Sequence, residues 1–330
     1  LLWGLVGQNQ AGTINNSYSS ASVYAKYAGG LVGYNGYIST EEDYVAGTDS
    51  AQIYQCFATG YISGSLSYPA VAGGLVGINE TNGYIDNSYA TGDINSRTAG
   101  GLVGINNFNY MEACGGMIAN CYASGDVFAS QYGGGLVGRA ESDVSIEGLE
   151  NHAYIIYNQT DFAIIKYCIA YGDVTVSVTE MTFVDDDGIE QTVTGVYSSA
   201  FAGGLIGHAN EPILIGCLSL GNVSATSMRP IGDGDDDFVY NTVYCNNLIG
   251  QSSNLATLHT NSYSIDTATV YRNNALFTGF SDYESYSMSQ TTTIDSLNDS
   301  TFYTSLGFSS AIWNLNNLNI EIGYIPALIF

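Results

Sequence analysis

Gly-Leu-Val-Gly recurs at residues 4–7, 30–33, 74–77, 101–104 and 135–138, followed by Gly-Leu-Ile-Gly at 204–207 and a degenerate copy, Asn247-Leu248-Ile249-Gly250. A chain that repeats one short unit this often buries its apolar surface by stacking one copy on the next, and each copy touches only its neighbours. This narrows the folds open to the chain more than any other feature of its sequence.

A second element alternates with the first. Its clearest copy runs from Ile85 to Ile94, Ile-Asp-Asn-Ser-Tyr-Ala-Thr-Gly-Asp-Ile, and its counterparts begin at Ile14, Ile53, Ile118, Ile165 and Leu214. The shortest complete unit is the 26 residues from Gly4 to Gly30. Longer units add residues at only two places, after the GLVG element and after the second element. A rung of constant shape with two permissive corners is the behaviour of a solenoid. Short Ile-, Val- and Tyr-rich segments closed by Gly predict three short strands per rung. The fold class expected is all-β, a parallel, right-handed β-helix of about seven rungs with a closing C-terminal segment. Residues 1–250 form the repeat region, with long insertions near 141–163, 176–200 and 225–245, and residues 251–330 form the final rungs and the C-terminal cap.

Stacked rungs place equivalent residues about 4.8 Å apart in columns along the axis. The repeat glycines Gly30, Gly33, Gly74, Gly77, Gly101, Gly104, Gly135, Gly138, Gly204 and Gly207 are expected to permit positive φ at a corner and close backbone approach. Tyr18, Phe57, Tyr89 and Tyr122 share one position, continued by Ile169, Leu218 and Tyr263. Asn16, Asn87, Asn120 and Asn261 share another, where stacked amides can bond along the axis. Cys56, Cys121, Cys168 and Cys217 alternate with Ser17, Ser88 and Ser262 at a third. A site accepting Cys or Ser is small and buried. It suits free thiols packed as small apolar groups, or a disulfide between adjacent rungs.

Charge removes several classes of partner. Six Lys and Arg stand against 31 Asp and Glu, a net charge of −25, and charged residues make up 11% of the chain, against about 25% in an ordinary soluble domain. Six cations cannot form a phosphate-binding stripe, so nucleic acid is excluded as a partner, and so are anionic membrane surfaces. No apolar run reaches the roughly 20 residues of a membrane-spanning helix, so no membrane insertion is expected.

The GLVG element, the Ile-x-Asn-Ser-Tyr-Ala-Thr-Gly-Asp-Ile element and their order resemble the GLUG-motif repeats of bacterial and archaeal surface proteins. That family includes haemagglutinin-like adhesins and non-catalytic parts of IgA peptidases. The resemblance runs from Leu1 to about Gly250. Near the C-terminus, Trp313 and Gly323-Tyr324-Ile325-Pro326-Ala327-Leu328 resemble the segment that closes such arrays, and Leu297–Tyr303 reads as a short helix capped by Asn298 or Ser300. The resemblance implies a parallel β-helix on the cell surface and no particular activity. The expected role is structural and adhesive, without catalysis, with partners among glycans, surface proteins or further copies of the chain joined head to tail. In such a filament the apolar residues 325–330 would cover the open first rung of the next subunit. The other explanation of that open rung is a chain belonging to a longer array.

Candidate chemistry is sparse. Asp185, Asp186 and Asp187 lie in one long insertion, and Asp233, Asp235 and Asp237 in the next. Alternating Asp and Gly in a loop suits a hard cation, which makes Ca2+ the one cofactor suggested. Phe238 and Tyr244 stand where a calcium-binding helix–loop–helix requires Gly and Glu, so these residues read first as solvated acidic loops and second as a calcium site. Asp93, Asp126, Asp173 and Asn222 share a column in which turn hydrogen bonds compete with cation binding. Two such carboxylates near surface aromatics also leave open a polysaccharide-binding or polysaccharide-cleaving enzyme. Asn15, Asn79, Asn158, Asn222 and Asn298 head glycosylation sequons. His-Glu-x-x-His, Cys-x-x-Cys and the phosphate-binding Gly-Lys-Ser/Thr loop are all absent.

Overall fold

The computed structural model describes residues 2–36, 50–64, 70–108, 115–142, 163–178, 180–184, 190–194, 199–210, 212–227, 243–252, 258–276, 290–320 and 325–329. It is a parallel β-helix, and each of its seven rungs passes through four strands rather than three. Face A runs into the GLVG element, for example Ile94–Gly100. Face B leaves it, as Val103–Phe108. Face C carries the start of the second element, as Met117–Ala119, and face D its aromatic, as Tyr122–Ala123. Faces B and C each stack seven strands, and face D eight. Pairing is parallel and in register, with Val76 opposite Val32 and Val103, and Tyr89 opposite Phe57 and Tyr122. The fourth strand is short and follows a single corner residue, so faces C and D read as one continuous segment in sequence.

That corner residue explains one of the expected columns. Asn16, Gln55, Asn87, Asn120, Tyr167, Gly216 and Asn261 all have φ between 48° and 60°. The left-handed region tolerates Asn and Gly best, because a short amide side chain bonds locally. The asparagines at this position therefore turn the chain, and the amide column lies elsewhere. Asn9 donates to Asn35, Asn35 to Asn79 and Asn79 to Asn106, each through Nδ2 to Oδ1 at 2.8 Å. The second N–H of each amide bonds a backbone carbonyl where face C begins, on Gln52, Ala51, Gly83 and Gly116. Four side chains thus join rungs one to four and at the same time fix the corner between faces B and C. The column stops at Ala140, which occupies the position in rung five.

The repeat glycines serve close approach, and none of them has positive φ. A Cβ on Gly30, Gly74, Gly101 or Gly135 would fall on the carbonyl oxygen of the equivalent glycine one rung on. A Cβ on Gly104 would lie 2.6 Å from the Gly77 carbonyl oxygen and 2.9 Å from that of Ala72. Inside, Leu31, Leu75, Leu102, Leu136 and Leu205 form one buried column, and Ile53, Ile85 and Ile118 another. Cys56, Cys121, Cys168, Cys217 and Cys245 are buried free thiols, so the Cys/Ser column is one of packing. Burial raises the Cys168 and Cys217 thiols above their ordinary range.

The C-terminal segment lies along the side of the solenoid. After the face D strand Gln290–Thr292 come two helices, α1 (Ile294–Leu297), capped by the Thr293 hydroxyl, and α2 (Ser300–Leu306), capped by Asp299. The caps are therefore Thr293 and Asp299, in place of Asn298 or Ser300. Trp313–Asn314 pairs antiparallel with Ala327–Leu328. Tyr303, Leu306, Phe308 and Trp313 pack on Ile169, Leu218 and Ile265 of face D, and the Tyr171 hydroxyl donates to the Pro326 carbonyl. The described part of the apolar tail thus touches its own solenoid at Pro326, while Ala327 and Ile329 remain exposed.

Candidate functional site

Between the described strands of the seven rungs, the insertions enter at two lines. Residues 37–49, 109–114, 143–162 and 253–257 fall between face B and face C strands, and residues 65–69, 179–198 and 228–242 interrupt face A. The interrupted face A strands still stack in register on either side, as with Val174 opposite Val127 and Phe201 opposite Tyr132. Within 176–200 an antiparallel hairpin pairs Glu180–Val184 with Glu190–Thr194. Asp185, Asp186 and Asp187 lie between its strands and outside the described residues. Asp233, Asp235, Asp237 and Asn158 also lie outside them.

The second acidic column has a structural explanation. The Asp93 carboxylate accepts the Asp126 N–H, that of Asp126 the Asp173 N–H and that of Asp173 the Asn222 N–H, at 2.9, 2.9 and 2.7 Å. Asn222 Oδ1 in turn accepts from the Thr269 N–H and hydroxyl. Each side chain satisfies the turn one rung below it. Among the described residues, no group of three or more His, Cys, Asp and Glu is arranged to hold a metal ion.

The four described sequons differ. Asn15 is exposed on face C. Asn79 is fully buried and both ends of its amide are engaged in the column, so a glycan there is incompatible with the fold. Asn222 holds Asp173 and Thr269, and Asn298 Oδ1 accepts the Ile320 N–H.

Two columns of stacked aromatic rings run along the coil. On face D, Tyr18, Phe57, Tyr89 and Tyr122 stack with centroids 5.0, 4.9 and 4.7 Å apart and planes within 8° of parallel. Trp313 meets this column at Tyr122, 6.3 Å away, where the C-terminal segment begins to cover the face. Phe57, Tyr89 and Tyr122 are half-buried in the stack, and Tyr18, 64% exposed, ends it.

The second column lies where face A meets face B. Tyr132, Phe201 and Tyr244 stack at 4.8 and 5.1 Å, and His208 of face B packs edge-on against Tyr132 and Phe201. One rung before His208, Arg139 lies 4.8 Å from the Tyr132 ring centre and pairs with Glu141, which is 4.0 Å from His208 Nδ1. Sequence reading passed over this seam, because Arg139, Glu141 and His208 come together only through the register of two adjacent strands.

Burial, and then the Arg139 charge, lower His208 from 6.5 to about 4. The unfolded imidazole binds a proton between those values and the folded one does not. Stability is therefore expected to fall as pH drops from 6.5 to 4, by about 3 kcal/mol for this group. His208→Gln, which reproduces the residue found at Gln8 and Gln251 in the same column, should remove that part of the slope. Urea titrations of both proteins at pH 7 and pH 4 measure it, and equal slopes would reject the assignment.

Comparison with known proteins adds one motif and one structure. No curated protein matches the chain by sequence. A crystal structure from Bacteroides ovatus, described as a "putative immunoglobulin A1 protease", is 13% identical, with a TM-score of 0.42 over 94% of this chain and 92% of that one. Residues 70–95 match the family model of the GLUG motif, and this stretch is one complete circuit of the coil, from the face A strand Val71–Gly73 round to Ile94, so the β-helix carries a GLUG-motif repeat.

Proposed function

We propose that the chain is a non-catalytic, adhesive rod exposed on the cell surface, whose insertions make the contacts. The observation that carries this reading is the confinement of the insertions within the seven rungs to two lines along an otherwise constant rung. Loops held on a stiff scaffold can vary without cost to the core, which is how recognition surfaces are commonly built. The composition of the insertions fits polar recognition. Residues 143–162 include Tyr154, Tyr157, Asn151 and Asn158, and residues 228–242 include Tyr240 and four aspartates. The GLUG-motif match supports a surface location.

Deletion of residues 180–195 or 228–240 is the direct test. A glycan array and a panel of immobilised extracellular glycoproteins are probed with the intact chain and both deletions. Binding by the intact chain, with loss in at least one deletion that keeps the native circular dichroism, is the expected result. Binding retained in both deletions would show that the contacts lie elsewhere. Release of reducing sugar from a polysaccharide panel, abolished by Asp→Asn changes, would replace the adhesive reading with an enzymatic one.

A further inference from the structure

Face A carries one more column, ahead of the point where the insertions leave it. Tyr24, Phe128 and Tyr271 stand in this column three rungs apart. Ser63 and Asn95 fill the positions between the first two, and Thr175 and Ser224 those between the last two. An aromatic side chain therefore recurs about every 14 Å, three times the spacing of stacked strands. All three rings point outward, because the residues before them, Val23, Val127 and Val270, point into the core.

Phe128 lies in the middle of the solenoid, with a paired strand on either side, and is still 44% exposed. Among the described residues neither Phe128 nor Tyr271 stacks on another ring, whereas the faces of Phe57 and Tyr89 are taken by their neighbours. The side chains between the rings are short and polar. The Ser224 hydroxyl donates to that of Thr175 at 3.2 Å, so these two are held as a hydrogen-bonding pair.

Single aromatics set apart by hydroxyl and amide groups do not make the centre of a protein interface, where apolar anchors cluster. They match an extended chain of pyranose rings. Each sugar advances such a chain by close to one rung. Its C–H face packs on the electron-rich face of an aromatic ring, and its equatorial hydroxyls exchange hydrogen bonds with Ser, Thr and Asn. Charge then selects among polysaccharides. The row beside the column holds Asp93, Asp126 and Asp173, all exposed, and the chain as a whole carries −25. Uronic and sulfated sugars are repelled by that field. An uncharged chain is not, and its hydroxyls can donate to the same carboxylates.

We propose that this column on face A is a binding site for an extended, uncharged, β-linked polysaccharide lying parallel to the solenoid axis, with Tyr24, Phe128 and Tyr271 as its stacking platforms. The site is built from the rungs themselves. It is separate from the insertion contacts, and neither depends on the other.

Affinity electrophoresis of the 330-residue chain tests the proposal, in native gels containing hydroxyethyl cellulose, mixed-linkage β-glucan or glucomannan, with carboxymethyl cellulose as the acidic counterpart. Retardation by at least one uncharged polymer and none by the acidic one is expected. Phe128→Ala and Tyr271→Ala should each weaken the binding about tenfold, the effect of removing one aromatic anchor, and Phe128→Trp should retain it. All three should keep the native circular dichroism and melting, since both positions are exposed. Deletion of residues 180–195 or 228–240 should leave the retardation unchanged, so failure of this site and failure of the insertion contacts are read separately. No retardation by any uncharged polymer, stronger retardation by carboxymethyl cellulose, or binding indifferent to both alanine changes would each overturn the proposal.

Discussion

Gly101→Ala is expected to destabilise the chain by about 3 kcal/mol, the upper end of the usual cost of core overpacking. The added methyl would fall on the Gly135 carbonyl oxygen and lie 2.9 Å from the Ala123 Cβ. Neither neighbour has a flexible side chain that can swing away. Relief requires rungs four and five to separate along the axis, which lengthens hydrogen bonds such as Leu102 N–H to the Leu136 carbonyl, now 2.9 Å. A solenoid unfolds in parts when one interface is weakened, so urea denaturation should be read together with hydrogen exchange. The amides of Leu102, Val103 and Leu136 should lose protection first. Thr91→Ala, at an exposed position on a neighbouring turn, is the control and should stay within about 0.5 kcal/mol. A loss below 1 kcal/mol for Gly101→Ala would mean that the rung spacing is softer than described.

Asn79→Ala carries the second large effect, about 2–4 kcal/mol. Its amide accepts from Asn35 and donates to Asn106 and to the Gly83 carbonyl, all in a site closed to water. The substitution leaves a donor on Asn35, an acceptor on Asn106 and a backbone carbonyl without their partner. A buried polar group left unpaired costs about 1–3 kcal/mol. Steric fit is not at issue, since Ala140 and Ala209 occupy the same position in rungs five and six. Ala140 follows Asn106, whose amide already accepts from Asn79 and donates to the Gly116 carbonyl, so the column ends there with both roles of Asn106 filled. The double substitution Asn79→Ala with Asn106→Ala should therefore cost less than the sum of the two single changes. Strict additivity in a double-mutant cycle would argue against a continuous column.

Much of this architecture is legible in the sequence. The spacing of the GLVG copies and of the second element places every rung, and the structure pairs the residues that share a repeat position, such as Tyr18, Phe57, Tyr89 and Tyr122. The number of strands per rung was not legible, because a corner made by one residue in the left-handed region leaves no gap in the apolar pattern. Asparagine illustrates the difficulty directly. Asn87 and Asn79 are both repeated, both buried and eight residues apart, yet one turns the backbone and the other bonds along the axis. The pattern Gly-Leu-Val-Gly-x-Asn in four successive copies was the available signal for the second role.

The sequence by itself determined the repeat, the register in which rungs stack, and the columns that follow from them, because in a solenoid neighbours in space are equivalents in sequence. It also confined the insertions to two lines. Tertiary structure alone decided that Tyr303, Leu306, Phe308 and Trp313 pack against face D, and that Arg139, Glu141 and His208 meet Tyr132 and Phe201 across a seam. These contacts join positions that no repeat relates. They depend on the angle at which faces A and B meet and on the path of a segment outside the rungs, and both are set by packing over the whole assembly.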